Sequence, residues 1–299
     1  MPVNDALGTR MKTYYEQVPK TRLVRRMPVA IRIDGKAFHT FTRGFQKPFD
    51  EVLGNAMIRT MEYLCKNIQG CVFGFTQSDE ITILLIDYKQ LNSDAWFDYR
   101  VQKMCSIAAS MATLAFNRYF EAEMNIFKAS HTIFDTNEWA YPEAAQVYGA
   151  YMLSKSKGAM FDARCFNIPK EEATNLIYWR QLDAARNSVQ MVGQANFSHN
   201  ELQNKSCNMI QDMLHEQKGI NWNDFPTYQK RGSCCVKSNA TCTFATENEN
   251  GSVTTGATER PHWYIDKEIP IFKNEGRDYV EKLIKVGNCP CSTVVAYIN

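Results

Sequence analysis

The run Val72-Phe73-Gly74-Phe75-Thr76-Gln77-Ser78-Asp79-Glu80-Ile81-Thr82-Ile83-Leu84-Leu85-Ile86 constrains the fold of this chain more than any other stretch. Two apolar, β-rich segments flank a polar break, Gln77 to Glu80, that has room only for a tight turn. The pattern predicts a β-hairpin with adjacent carboxylates, Asp79 and Glu80, at its tip. After the turn, Ile81, Ile83 and Leu85 alternate onto one face, and Glu80 and Thr82 share the other. Acids at the tip of an apolar hairpin suggest metal ligation, although turns also collect Asp for local hydrogen bonding.

A second carboxylate sharpens the reading. Val29 to Lys36 reads as a strand ending on Asp34, with Val29, Ile31 and Ile33 pointing one way and Arg32 and Asp34 the other. Asp34 is thus expected on an open, polar face of a sheet whose opposite face is buried. Gly35 allows a sharp turn and lets a backbone carbonyl approach a ligand. If the two elements are neighbours, Asp34 and Asp79 face each other and can clamp hard cations. Mg²⁺ favours a few carboxylates completed by water and phosphate oxygens. Two such ions, roughly 3.5–4 Å apart, serve in-line phosphoryl transfer.

The 299 residues suffice for one large domain or two modest ones, and 44% hydrophobic content supplies a sizeable core. A formal net charge of +2 excludes a global cationic field, so any nucleic-acid contact must use a local basic site. Met1 to Arg26 is polar and charged, unlike a signal peptide. No apolar run reaches the ~18 residues of a membrane span. The ten cysteines have no zinc-motif spacing. Reduced, structural thiols in a cytoplasmic protein are the expectation.

Along the chain, residues 5–26 read as a helix with a basic end. Lys36 to Asp50 mixes cations with aromatics, which suits a nucleotide: cations for phosphates, rings for a base. Phe38 and Phe41 are equally readable as core anchors. Asp50 to Asn67 and Asp94 to Asn117 carry apolar residues in helical spacing. Arg100 and Lys103, three apart, share a helix face that could hold a polyphosphate or simply meet solvent. Residues 118–158 look irregular. A strand follows at 160–168, then a helix from Lys170 to Asn196 bearing Trp179-Arg180-Gln181-Leu182-Asp183, with Asn187 four residues past Asp183. A buried Asp and Asn on one face need partners, structural or ligand. A further helix is expected near 199–216, and Lys230-Arg231-Gly232 forms a basic turn before a strand at 233–236. Beyond it, Lys237 to Arg260 is rich in Thr, Asn, Ser and Gly, with Asn250-Gly251 marking a hairpin, and Tyr279 to Val286 reads as a short helix. The expectation is a palm-like domain over 1–236 and a β-hairpin-rich extension over 237–299. In class it is α/β (α+β), an antiparallel sheet with helices on one face.

The motifs, taken in order, identify a family. Arg32-Ile33-Asp34-Gly35-Lys36-x-Phe38-His39, Phe45-x-Lys47-Pro48-x-Asp50, Gln77-Ser78-Asp79-Glu80, Arg100-x-x-Lys103, Phe161-Asp162-x-Arg164, Trp179-Arg180-Gln181-x-Asp183 and Lys230-Arg231-Gly232 occur in sequence. The chain resembles the histidine-tRNA guanylyltransferase superfamily over roughly residues 5–240. Members add nucleotides to tRNA 5′ ends in the 3′-to-5′ direction on a domain like the palm of conventional polymerases.

The resemblance implies roles. Asp34, Asp79 and the Gly35 carbonyl would bind two Mg²⁺, with Glu80 in support. Lys36, Phe38 and His39 would meet a triphosphate or its base. Phe45, Lys47, Asp50, Ser78 and Asn187 match positions for 5′-end activation by ATP or GTP. Arg100 and Lys103 would neutralise phosphates, and Arg180, Asp183, Lys230 and Arg231 match the motifs assigned to the RNA. It also implies a homo-oligomer, tetrameric by analogy. One departure stands out. Eukaryotic guanylyltransferases carry His-Ile-Asn-Asn-Leu-Tyr-Asn after the Trp-Arg-Gln motif; here the run is Ala185-Arg186-Asn187-Ser188-Val189-Gln190-Met191. The His and second Asn are absent. The chain looks more like the bacterial, archaeal and phage guanylyltransferase-like proteins, which repair 5′-truncated tRNAs against a template. Histidine-tRNA maturation is the alternative activity. A non-catalytic palm-fold RNA-binding protein and a palm-type nucleotide cyclase are the alternatives of other classes, and three retained acids argue against the first.

Overall fold

The computed structural model of the chain describes residues 6–133, 138–247 and 253–286. A short helix α1 (Ala6–Met11) and one π-helical turn (Lys12–Glu16) open it, with no buried residue in either. The expected helix over 5–26 is much shorter, with no buried stripe to extend it. Strand β1 (Val29–Gly35) leads into the single turn α2 (Phe38–Phe41), the helix α3 (Glu51–Asn67) and the hairpin β2 (Cys71–Gln77) with β3 (Glu80–Leu85). The long helix α4 (Val101–His131), α5 (Pro142–Lys157), β4 (Phe161–Asn167) and α6 (Lys170–Asn196) follow. Then come α7 (His199–Leu202), α8 (Cys207–Lys218), α9 (Thr227–Arg231), β5 (Ser233–Glu247), β6 (Val253–Asp266) and α10 (Asp278–Glu281).

Among the described residues these strands form one antiparallel sheet, in the order β4-β1-β3-β2-β5-β6. Ile31, Ile33, Ile81, Ile83 and Leu85 of its first face join the core with Met57, Met61 and Leu64 of α3 and Ala108, Ala112 and Phe116 of α4. Helix α3 comes close to β2 at Gly74, where a Cβ would stand 2.5 Å from the Cys65 sulfur. Burying side chains of this size contributes ~1.5–3 kcal/mol each, which is what holds the two helices on the sheet.

The opposite face is graded along the strands. Phe73, Leu84, Ala30 and Phe166 lie in one row; Phe75, Thr82, Arg32 and Arg164 in the next; Gln77, Glu80, Asp34 and Asp162 in the last. Helix α6 and the segment around Phe272 and Val280 cover the apolar row. The polar face is thus open only at its Asp34 end, since a helix on the apolar end removes Phe73 and Leu84 from water.

Two helical regions differ from expectation. Helix α4 runs past Asn117 because Phe116, Phe120, Met124 and Phe127 extend its buried stripe. Asn117 does not end it: the side chain donates to Thr113 and Ala159 carbonyls and accepts from the Ala159 N–H, tying α4 to the start of β4. Helix α5 fills part of the segment read as irregular; it buries only Ala144, Tyr151 and Ser154, too few for a clear periodic signal. The helix expected near 199–216 is split into α7 and α8, with Asn204 between them at φ 59°. The expected boundary after residue 236 falls inside β5, and the Asn250-Gly251 turn lies outside the described residues. Among the described residues no helix is long and apolar enough to cross a membrane, and Cys65, Cys71, Cys105, Cys165, Cys207, Cys234 and Cys235 are free thiols.

Candidate active site

The β-ladder brings the expected acids together. Asp34 of β1 stands directly opposite Glu80 of β3 and, on its other side, opposite Asp162 of β4. Side chains paired this way have Cβ atoms about 4.5–5.5 Å apart on one face. Asp79 occupies the hairpin tip beside them, where its carbonyl accepts from the Gly35 N–H at 3.1 Å and its carboxylate from the Ser78 hydroxyl at 3.1 Å. Ser78 sits at φ 54°, the left-handed conformation that two-residue hairpin loops demand. Burial pushes the Asp79 carboxyl above its ordinary value of 3.8, and the charges of Asp34 and Glu80 push it further. Gly35 has a local reason of its own: a Cβ there would stand 2.3 Å from the Phe38 ring.

Glu80 is neutralised by the protein. Its carboxylate bonds Arg32 at 3.0 Å and Arg180 at 2.5 Å. Arg180 also bonds Asp183 at 2.8 Å, and Asp183 in turn bonds Arg186 at 2.7 Å and the Asn187 amide at 3.4 Å. The Asp–Asn pair on α6 thus finds structural partners. Arg180 is only 7% exposed; Glu80 and Asp183 compensate its charge through one terminal nitrogen, and its Nε is buried with no hydrogen-bond partner among the described residues. Arg180 and Asp183, expected at the RNA, are engaged in this network, Arg180 buried and Asp183 half-buried. Lys230 is engaged likewise: 7% exposed, it donates to the Asn223 carbonyl at 2.5 Å. Arg231 beside it is half-buried.

A cleft of ≈ 670 Å³ opens beside the acids, lined by Gly35, His39, Arg43, Lys47, Ser78 and Asp79 among others. Lys36, His39 and Lys47 are exposed. Phe38 and Phe45 are buried instead, in a cluster with Phe41, Phe116, Phe120 and Tyr151 whose ring centroids lie 4.8–5.8 Å apart where Phe38 or Phe45 takes part. They form the cleft's floor, only 5% and 7% exposed, packed on neighbouring rings. Asp50 is committed as well. One oxygen caps α3 at the Leu53 N–H, 2.8 Å away; the other accepts from Gln46 N–H at 2.9 Å and Tyr151 hydroxyl at 2.7 Å. It holds the Lys47 loop in place; its expected nucleotide contact is therefore indirect.

Arg100 and Lys103 lie elsewhere. Val101 abuts Cys165, whose partner on β1 is Ile31, and Arg22 bridges to Arg100. The start of α4 is thus level with Ile31, roughly 10 Å along β1 from Asp34, and on the sheet face opposite the acids. The fold does not bring Arg100 and Lys103 to the acids within one chain. Asp162 and Arg164, by contrast, join the acid and arginine rows although the sequence pattern gave them no role. Their signal was the exposed alternation of β4 within Phe161-Asp162-x-Arg164.

The acids fit a hard divalent cation. Glu80 is compensated by two arginines, while Asp34 and the burial-perturbed Asp79 are left facing each other's charge, a repulsion a cation relieves. Among the described residues no three His, Cys, Asp or Glu form a complete metal cage. Two carboxylates and a carbonyl with a shell completed by phosphate and water is the donor set of Mg²⁺.

A palm-type sheet carrying a carboxylate pair beside a cationic cleft defines a nucleotidyltransferase. Residues 8–169 match the family described as tRNAHis guanylyltransferase. A solved bacterial tRNA(His) guanylyltransferase-like protein in complex with ATP is 36% identical, covering 94% of this chain and 100% of its own, at a TM-score of 0.72. The corresponding GTP complex is 35% identical at a TM-score of 0.69 with the same coverage. The tRNA(His) guanylyltransferase of Saccharomyces cerevisiae is 26% identical over 70% of this chain and 82% of its own. The chain belongs to the tRNAHis guanylyltransferase family.

Proposed function

We propose that this protein adds nucleotides in the 3′-to-5′ direction to the 5′ end of tRNA, following a template, and so repairs truncated ends. The observation that carries the reading is the cleft of ≈ 670 Å³ joining Lys47 and Ser78 to Asp79, in a chain 36% identical to a protein solved with ATP. In a first step an oxygen of the 5′-monophosphate attacks the α-phosphorus of ATP or GTP, and pyrophosphate leaves. In a second, the 3′-hydroxyl of the incoming nucleotide attacks the activated 5′ phosphorus, and the nucleoside monophosphate leaves. Lys47 donates to the polyphosphate, with His39 and Arg43 along the same wall. Ser78 holds the Asp79 carboxylate in its aim. Arg32 and Arg180 keep Glu80 folded against the sheet, so that the remaining negative charge concentrates on Asp34 and Asp79. These two, with the Gly35 carbonyl, would hold two Mg²⁺, which supply charge stabilisation at the reacting phosphates and a lowered hydroxyl pKa. A cytoplasmic setting and a homo-oligomer, tetrameric by analogy, belong to the same proposal.

Guanosine addition to histidine tRNA is the second reading, favoured by the yeast relative. The run Ala185 to Met191 disfavours it, because no imidazole stands at Ala185. The test is a 5′-monophosphorylated tRNA lacking its first nucleotide, labelled at the 5′ phosphate and incubated with each NTP. The proposal requires a capped 5′ end with ATP or GTP alone, and a one-nucleotide extension when the complementary NTP is added. Absence of both products overturns it.

A further inference from the structure

Trp179 stands 51% exposed on α6, beside the acid row, and the chemistry proposed above does not use it. Its ring is not loose. The Arg180 guanidinium lies 4.5 Å and the Arg32 guanidinium 5.3 Å from the ring centroid. Both arginines are themselves mostly covered, with side chains 8% and 17% exposed. They therefore hold the ring from its protein side and leave the remainder to solvent. A large aromatic surface kept exposed and pre-ordered has little to gain from the fold it sits on and much from a stacking partner.

Its neighbours define the partner. Arg32, under Trp179, pairs directly with Arg164 on the edge strand β4. The Arg164 side chain is 56% exposed and is tethered at 3.2 Å to Asp162, the residue opposite Asp34. Arg186, 63% exposed, lies two turns along α6 from Trp179 and is tethered to Asp183 at 2.7 Å. An aromatic platform flanked by two tethered, exposed guanidinium groups, one row from a carboxylate pair, matches nucleic acid: a ring for a base, cations for the adjoining phosphates. The Lys47 cleft lies at the hairpin tip, and this face runs from Asp34 outward to β4. The two approaches reach the acids from different sides, as a reaction between a nucleotide and an RNA end requires.

We infer that Trp179 and Arg164 seat the terminal base pair of the RNA, with the base stacked on Trp179 and its phosphate on Arg164. The inference rests on the proposed function but reads binding, not turnover. A tRNA acceptor-stem hairpin with 2-aminopurine in its first base pair is titrated with the full chain without NTP, so that no chemistry follows. Wild type quenches the probe by stacking. Trp179→Ala abolishes the quench and weakens binding roughly tenfold. Trp179→Phe retains part of both. Arg164→Gln keeps the quench and lowers the slope of log Kd against log salt by about 1.

Unchanged quench and affinity in Trp179→Ala overturn the inference. If that variant does not fold, wild-type values in Trp179→Phe together with an unchanged salt slope in Arg164→Gln overturn it equally. A wild type that extends truncated tRNA without quenching the probe sinks the platform alone. A wild type that neither binds nor extends RNA sinks the proposed function with it.

Discussion

Arg180 meets one oxygen of Glu80 at 2.5 Å while Arg32 holds the other at 3.0 Å. The carboxylate next to the proposed metal ligands is thereby a structural charge. Removing it leaves Arg180, almost wholly covered, with Asp183 as its remaining carboxylate partner. Breaking a buried pair costs ~3–5 kcal/mol when nothing else compensates. With Asp183 in place, Glu80→Ala is expected to cost about 2 kcal/mol, read as a lower urea midpoint. A variant as stable as wild type would show that Glu80 is held less firmly than its two partners imply.

Asp34 behaves oppositely. Asp79 stands beside it at the hairpin tip and Asp162 faces it across the ladder, and like charges this close oppose folding. Asp34→Ala should therefore leave stability within about 0.5 kcal/mol of wild type, or raise it. It should still abolish nucleotide addition. Mg²⁺ should raise the melting temperature of wild type and fail to do so in Asp34→Ala and Asp79→Ala. Equal Mg²⁺ stabilisation in all three places the cation elsewhere.

Much of this was legible in the residues. The alternation after Glu80 put Ile81, Ile83 and Leu85 on the face that α3 and α4 cover, and the strand ending on Asp34 specified which face carries the acid. The burial of Phe73 and Leu84 on the other face depends on residues far along the chain. Other features depended on contacts distant in sequence. Phe38 and Phe45 resemble base-stacking rings until Phe116 and Phe120 of α4 close over them. Spacing put Arg100 and Lys103 on one helix face, yet only the packing of Val101 against Cys165 reveals where on the sheet that is. Helix α5 hides because three buried side chains make no stripe.

The Asp50 carboxyl sets a pH signature. Burial raises its pKa above 3.8, partly offset by hydrogen bonds from Leu53, Tyr151 and Gln46. A carboxyl with a raised folded-state pKa holds its proton more tightly folded than unfolded. Wild type then loses stability as pH climbs from the ordinary carboxylate value through the raised one. Asp50→Asn keeps a helix-capping oxygen and does not titrate. Unfolding free energies measured between about pH 3 and 7 should show wild type falling relative to Asp50→Asn as pH rises. A difference that stays flat or moves the other way contradicts the assigned cause.

Lys47 separates the two chemical steps. It is exposed on the cleft wall, in a loop anchored by Asp50 through Gln46. If it contacts the activating nucleotide, Lys47→Ala fails on RNA with a 5′-monophosphate. The same variant recovers on RNA that already carries a 5′-triphosphate, because activation is bypassed. Equal loss on both substrates, measured in single turnovers, assigns Lys47 to nucleotide addition or to the fold.

The choice of nucleotide rests on the run after Asp183. Ser188 is buried, donates to the Ala185 and Lys230 carbonyls at 2.8 and 3.2 Å and accepts from the Trp222 ring N–H at 3.1 Å. It ties α6 to the α9 region and presents nothing to a substrate. Ala185 has no polar side chain to offer. Under the proposed function neither fixes one special 5′ end, and selection passes to pairing with the opposing strand. On tRNAs lacking the first nucleotide, the added base should follow the template: G opposite C, and U opposite A. These substrates should be used more efficiently than full-length histidine tRNA. Ser188→Ala should lower stability and leave that pattern unchanged. Guanosine added whatever base stands opposite, with full-length histidine tRNA preferred, would establish the alternative activity and remove Ala185 as its determinant.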